Sequence, residues 1–326
     1  MNYLTKKFVI LSIISILTII SFSTITSGQE EEIDIVCSNS VLSDFTSNII
    51  KKNVTIEYIM PPGVCPAFYD TTPSDVSSIV NADVVISFGS PSMEPWLADL
   101  LEYNKDCEII ECKDMGEWNV PTNAKIYVEH IADQLKSIYP KLNDEINENT
   151  EIYLEEIDKT ATNLKEIIQT QGYQNNKVIA MSWQKDFLEF LGINVTYSYG
   201  PPQGLSVQDE LDVISAATED DVYAVIDNLQ SGTEFGARVA SESGISHIIF
   251  TNFPEAVPGT DSYIDMITYN TQQLIDGIET YNYKKGDIQN LQAQITELEL
   301  QRNTSIIFVV IFAIIALAFY AMYKKK

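Results

Sequence analysis

Residues 142–171 form the longest helix-patterned run in the body of this chain, and the rest of the fold must be arranged around it. Ile146, Ile152, Leu154, Ile157, Leu164, Ile167 and Ile168 recur at helical intervals, and Gly172 stands where a helix terminus favours glycine. A helix of about 25 residues exceeds the usual globular length, which suits a connector between two bodies. On its N-terminal side the pattern alternates: strand 33–37, helix 41–52, strand 54–60, a short helix, strand 83–89, helix 94–103, strand 107–112 and helix 122–135. On its C-terminal side a second alternating series runs from strand 177–181 to a helix beginning at Tyr263. Strands alternating with helices predict α/β architecture with parallel sheets covered on both faces. In 326 residues this makes two bodies, each large enough for its own core.

Both ends are apolar. Lys6 and Lys7 precede an apolar run, 8–22, and small or polar residues, 23–28, which is the layout of a secretory signal over 1–28. Residues 305–323 are almost wholly apolar and are followed by Lys324, Lys325 and Lys326. About 20 such residues span a bilayer as a helix, and trailing lysines stay cytoplasmic. The expected topology is therefore single-pass in the cell membrane, with the body outside and the C-terminus cytoplasmic. Between body and span, Ile288, Leu291, Ile295 and Leu298 form a short heptad seam. That stretch is either a stalk that pairs with another helix or the run-in to the span, and fewer than two heptads favour the run-in. The division read from the sequence is a first lobe 29–141, connector 142–172, second lobe 173–283, stalk 284–304, transmembrane helix 305–323 and tail 324–326.

A net charge of -26 excludes the basic patch of a nucleic-acid binder and keeps an exterior domain soluble. The four cysteines permit an oxidising compartment. Cys37 ends the first strand and Cys65 lies after the second, so a disulfide between them is possible if those strands are neighbours. Asn53, Asn194 and Asn303 open glycosylation sequons. No nucleophile elbow, phosphate loop or zinc-protease helix is present, so the chain does not read as an enzyme.

The stretch Pro61-Pro62-Gly63-Val64-Cys65-Pro66-Ala67-Phe68-Tyr69-Asp70-Thr71-Thr72-Pro73-Ser74-Asp75 is a stiff loop after a strand, ending in a helix start that Ser74 or Asp75 can cap. A second such loop, Gly200-Pro201-Pro202-Gln203-Gly204, follows a strand in the other half, before a helix with Ser206 and Asp209 in capping-box spacing. The first loop resembles the signature of the solute receptors that feed zinc and manganese ABC transporters. Glu94-Pro95-Trp96-Leu97, the segment around Asn123, and Tyr263 with Met266 and Asn270 resemble further motifs of that family in the same order. The resemblance implies two Rossmann-like lobes joined by one long rigid helix, a ligand between them, and an ABC permease as partner in the membrane.

The family's metal ligands, three histidines and a carboxylate, do not carry over. Their positions read here as Ala67, Gly116, Met181 and Asn252, and the chain's two histidines, His130 and His247, fall elsewhere. Candidate cleft residues are Cys65, Tyr69, Glu117, Trp118, Met181, Gln203, Asp227 and Asn252, at the ends of strands and in the loops after them. Cys65 with Met181 and Cys37 would suit a soft ion, Asp227 with Glu117 and amides a hard one, and Trp118, Trp183 and Tyr69 an organic or chelated ligand. The function expected is a membrane-tethered receptor whose cargo is a small solute, a transition-metal ion or a metal chelate. The alternative is a surface interaction or adhesion protein that kept the fold and lost metal binding.

Overall fold

The structure, a computed structural model, describes residues 32–324. The expected signal over 1–28 and the last two tail lysines lie outside the described residues. The first half contains β1 (Ile33–Asn39), α1 (Ser40–Ile49), β2 (Val54–Met60), α2 (Pro73–Asn81), β3 (Val84–Ser87), α3 (Leu97–Leu101), β4 (Glu108–Glu111) and α4 (Pro121–Ile138). The connector is α5 (Asn143–Thr170). The second half contains β5 (Lys177–Met181), α6 (Lys185–Phe190), β6 (Asn194–Tyr199), α7 (Val207–Ala217), β7 (Val222–Asn228), α8 (Glu234–Ser243) and β8 (Ser246–Phe250). The last helix is α9 (Tyr263–Lys324).

Each half builds one parallel four-stranded sheet, in the orders β2-β1-β3-β4 and β6-β5-β7-β8. The orders match, so the two halves repeat one topology. In each, the first strand has the second on one side and the third on the other. Loops leaving the carboxyl ends there part in opposite directions and open a crevice, where open α/β sheets place ligands. The inner strands β1 and β3 are buried along most of their length because helices cover both faces.

α5 buries Ile146, Thr150, Tyr153, Ile157, Ala161, Leu164 and Ile168 and turns Ile152 and Ile167 to solvent. It packs against α1 and α4 of the first half and against α9. Asp44 ties these parts together: its Oδ2 accepts from Tyr153 Oη at 2.7 Å and from the Tyr263 amide at 3.2 Å. Burial raises the Asp44 carboxyl to about 6. Glu145, in the first turn of α5, accepts the amides of Lys51 and Lys52, each at 3.1 Å.

Two local expectations change. Thr72, not Ser74 or Asp75, is the N-cap of α2, because Asp75 sits at the third helical position and reaches back to the Thr72 amide at 2.6 Å. No disulfide joins Cys37 to Cys65; all four cysteines are free thiols. β1 and β2 are neighbours, but Cys37 is sealed in the core with its Sγ toward Thr46 Oγ1 at 3.7 Å, whereas Cys65 sits in the loop beyond β2.

α9 runs without interruption from the second half into the apolar C-terminal segment. Its buried face ends at Ile278, and every residue from 287 to 324 is exposed. An 18-residue window within it has a mean hydropathy of 2.8, long and apolar enough to cross a membrane.

Candidate functional site

A cavity of about 270 Å³ lies between the two sheets, walled by loops at their carboxyl ends. From the first half come Cys65, Pro66 and Ala67 after β2, Ser92 and Met93 after β3, and Glu117 and Trp118 after β4. From the second come Trp183 after β5, Pro201 and Gln203 after β6, Asn228, Gln230 and Ser231 at the end of β7, and Asn252 and Phe253 after β8.

The walls are held by bonds that their own sequence supplies. Trp96 donates Nε1–H to the Pro66 carbonyl at 3.0 Å and meets Tyr69 in a T-shaped contact with ring centroids 5.2 Å apart. Tyr69 Oη donates to Asp75 at 2.7 Å, so one cluster fixes the loop, its turn and the start of α2. Opposite, Gln203 donates to the Ser231 carbonyl at 3.0 Å. The lobes are also fastened to one another: Trp118 Nε1–H to the Asn252 carbonyl at 2.7 Å, Gln230 Nε2–H to the Pro62 carbonyl at 2.7 Å, and Asn119 Nδ2–H to the Trp183 carbonyl at 3.1 Å. Trp118 further stacks on Phe88 at 4.4 Å and meets Phe253 across the cleft at 5.5 Å.

Of the sequence candidates, Cys65, Glu117, Trp118, Gln203 and Asn252 line the cavity. Tyr69, Met181 and Asp227 do not. Tyr69 is consumed by Trp96 and Asp75. Met181 is fully buried in the second half's core. Asp227 is also fully buried; its two oxygens accept from Tyr199 Oη at 2.6 Å and bond His247 Nε2 at 2.8 Å. The soft set of Cys65, Met181 and Cys37 therefore does not converge, nor does the hard set of Asp227 and Glu117. Among the described residues no group of three or more His, Cys, Asp or Glu side chains is placed to hold a metal ion.

The four positions matching the family's ligands explain why. Ala67 is on the wall but has no donor. Gly116 has φ +80°, and a Cβ there would lie 2.6 Å from Asn123 Nδ2, so no side chain fits as the chain stands. Met181 points into the core, and Asn252 Oδ1 already accepts from Gln184 Nε2 at 2.7 Å.

What remains is a wall of rings, prolines, amides and two serines with one thiol, Cys65, one thioether, Met93, and one carboxylate, Glu117. Burial, with a smaller push from Asp186, raises Glu117 to about 7. Behind the wall Glu94 is 4% exposed; its Oε2 accepts from the Phe88 amide at 3.0 Å, and burial raises it to about 7 as well. Amides can donate and accept, and rings can stack on a flat ligand. Met93, Asn228, Gln230, Ser231 and Phe253 escaped the sequence reading. Their one available signal was position, just past the carboxyl end of a strand.

Comparison with known proteins agrees with this fold. Residues 35–277 match the family model described as ZnuA, zinc-uptake complex component A, periplasmic. The manganese-binding lipoprotein MntA of Halalkalibacterium halodurans is 26% identical over 279 residues, covering 78% of this chain and 91% of that protein. The iron ABC transporter substrate-binding lipoprotein MtsA of Streptococcus pyogenes is 25% identical over 291 residues, covering 77% and 91%. The Mn-bound periplasmic metal-binding protein from Candidatus Liberibacter asiaticus shares the fold, with a TM-score of 0.66 at 20% identity over 75% of this chain and 98% of that one.

Proposed function

The chain belongs to the family of zinc-uptake component A, whose members are solute-binding proteins and not enzymes, and on that premise we propose that it is the extracytoplasmic receptor of an ABC importer, tethered by its own C-terminal helix. Its cargo is a metal carried inside a small organic chelate, not a bare ion. One observation carries the choice of cargo: the cleft is retained at about 270 Å³ while all four family donor positions are without a usable donor. That volume holds roughly nine waters, far more than an ion needs once its ligands are gone. Half-buried Trp183 offers its ring to a flat ligand, and exposed Gln203 offers hydrogen bonds beside it, while Trp118 and Phe253 form the buried floor of the cleft. The apolar end of α9 supports the tether, and Lys324–Lys326 support a cytoplasmic end. A receptor so held stays at high local concentration beside its permease.

Tryptophan fluorescence and calorimetry on the full chain in nanodiscs test this, with Mn²⁺ and Zn²⁺ alone and with ferric citrate and a ferric catecholate. The expected result is quenching and heat with a chelate and none with the ions, and loss of both in Trp183→Ala. Tight binding of bare Mn²⁺ or Zn²⁺ would sink the chelate reading. Silence with every probe would favour the surface-interaction alternative.

A further inference from the structure

The apolar stripe of α9 outlasts the body it packs against. Leu274, Ile275 and Ile278 are buried, Tyr281 meets Tyr223 with ring centroids 4.9 Å apart, and Lys285 reaches Asp221 at 3.3 Å. Beyond that point the stripe resumes as Ile288, Leu291, Ile295 and Leu298, which are 55%, 57%, 57% and 64% exposed. A run-in to a membrane needs no such seam: polar residues on all faces would serve, and the neighbours Gln289, Asn290, Gln292, Gln294 and Thr296 are polar. The four aliphatic residues instead fall on one face at heptad core positions.

We propose that residues 284–302 of α9 pair with the same segment of a second copy of this chain as a short parallel two-stranded coiled coil above the membrane. Three features select a second copy. The core positions alternate Ile288, Leu291, Ile295, Leu298, with isoleucine at the first and leucine at the fourth heptad place, the arrangement that favours two parallel strands. A two-fold pair is self-complementary, so each residue meets its own copy and no second pattern is required. The charges also allow it. The whole chain carries -26, but residues 284–302 carry Lys284, Lys285 and Arg302 against Asp287, Glu297 and Glu299, which sum to zero. In a parallel pair the flanking positions place Asp287 opposite Gln292 and Gln294 opposite Glu299, so no like charges face one another at those positions, and the core-position cations Lys284 and Arg302, each opposite its own copy, bound the aliphatic seam at its two ends. Arg302, at the next core position, leans back to Glu299 at 3.8 Å and closes the seam at the membrane end. Four core residues are few for helices free in solution. Two copies held in one membrane meet at high effective concentration and already aligned. This orientation rests on the tether proposed above; the seam does not.

Cysteine cross-linking of the full chain in proteoliposomes tests the pairing, with the wild-type chain as background for its four native thiols. Leu291→Cys and Leu298→Cys place a thiol on the seam, and Ala293→Cys places one on the opposite face. On mild oxidation the seam variants are expected to give about tenfold more disulfide dimer than Ala293→Cys. Adding Ile295→Lys to Leu291→Cys is expected to remove most of it while circular dichroism is unchanged, since Ile295 touches nothing in the body. Equal yields at 291 and 293, or a yield indifferent to Ile295→Lys, overturn the proposal. Dimer at 291 in a chain that alkaline carbonate strips from the vesicles upholds the seam and counts against the tether.

Discussion

The two lobes carry the same loop twice and use it differently. In the first, β2 runs into a proline-stiffened turn, a 3₁₀ turn at Pro66–Phe68 and the capping box of Thr72 and Asp75. In the second, β6 runs into Pro201, a 3₁₀ turn at Pro202–Gly204 and the capping box of Ser206 and Asp209. Their surroundings diverge. The first loop is sewn down by Trp96, Tyr69 and a buried Asp75, while the second box sits at the exposed surface. The buried acids diverge too. Asp227 in the second lobe has both oxygens bonded. Glu94 in the first has Oε1 buried without a protein partner, and with Asp44 and Glu117 it titrates well above the usual carboxylate range. A repeated local frame thus fixes where a loop goes, and what the loop touches is settled separately in each lobe.

The contrast can be broken most severely where the lobes meet. Trp118→Ala removes the stack on Phe88, the contact with Phe253 and the bond to Asn252, and large-to-small changes of this kind cost about 3–5 kcal/mol. Urea denaturation of the full chain in detergent should show that loss, and a loss below about 1 kcal/mol would mean the lobes do not depend on this bridge.

Removing one partner of Asp227 separates the two acids next. Asp227→Ala leaves Tyr199 Oη and His247 facing a hole, at a cost of about 3 kcal/mol. Asp227→Asn, which keeps an acceptor, should recover part of it by the same measurement.

The caps give a smaller, graded difference. Ser206→Ala should cost about 1 kcal/mol, the ordinary value for a lost N-cap. Asp75→Ala should cost about 2 kcal/mol, because it also strands Tyr69 Oη and the Thr72 amide in a buried corner. Equal losses in thermal or urea melts would show that the environment of the first loop adds nothing to its frame.

The remaining contrast is a slope with pH. Asp44, Glu94 and Glu117 have folded values of about 6, 7 and 7, above their ordinary ones of 3.8, 4.5 and 4.5. The folded chain therefore holds more protons than the unfolded chain between those limits, so stability is fully present below about 4 and falls as pH rises toward 7. Glu94→Gln should flatten that fall, and an unchanged slope would place its cause elsewhere.

Much of this was legible in the chain. The strands at Val54–Met60 and Lys177–Met181, the connector and the capping box at Ser206 follow from local pattern, because helix and strand periods and cap chemistry act within a few residues. The loop 61–75 also announced the family and, through Ala67, the loss of a ligand. Position past a strand end was a weaker guide: it placed Cys65, Glu117 and Asn252 on the cavity wall, but it also nominated Tyr69, Met181 and Asp227, whose side chains turn away into structural work.

The sequence by itself determined the alternation of strands and helices, the long rod between two halves, the apolar end and the absence of the expected ligand residues, since each is written in spacing or residue type. Only the tertiary structure decided which side chains share the cleft, that Asp227 is satisfied while Glu94 is not, that Cys37 and Cys65 stay apart, and that the seam of α9 stands uncovered. These depend on which way a side chain leaves the backbone and on partners more than a hundred residues distant, as with Gln230 and Pro62, and no local pattern carries that information.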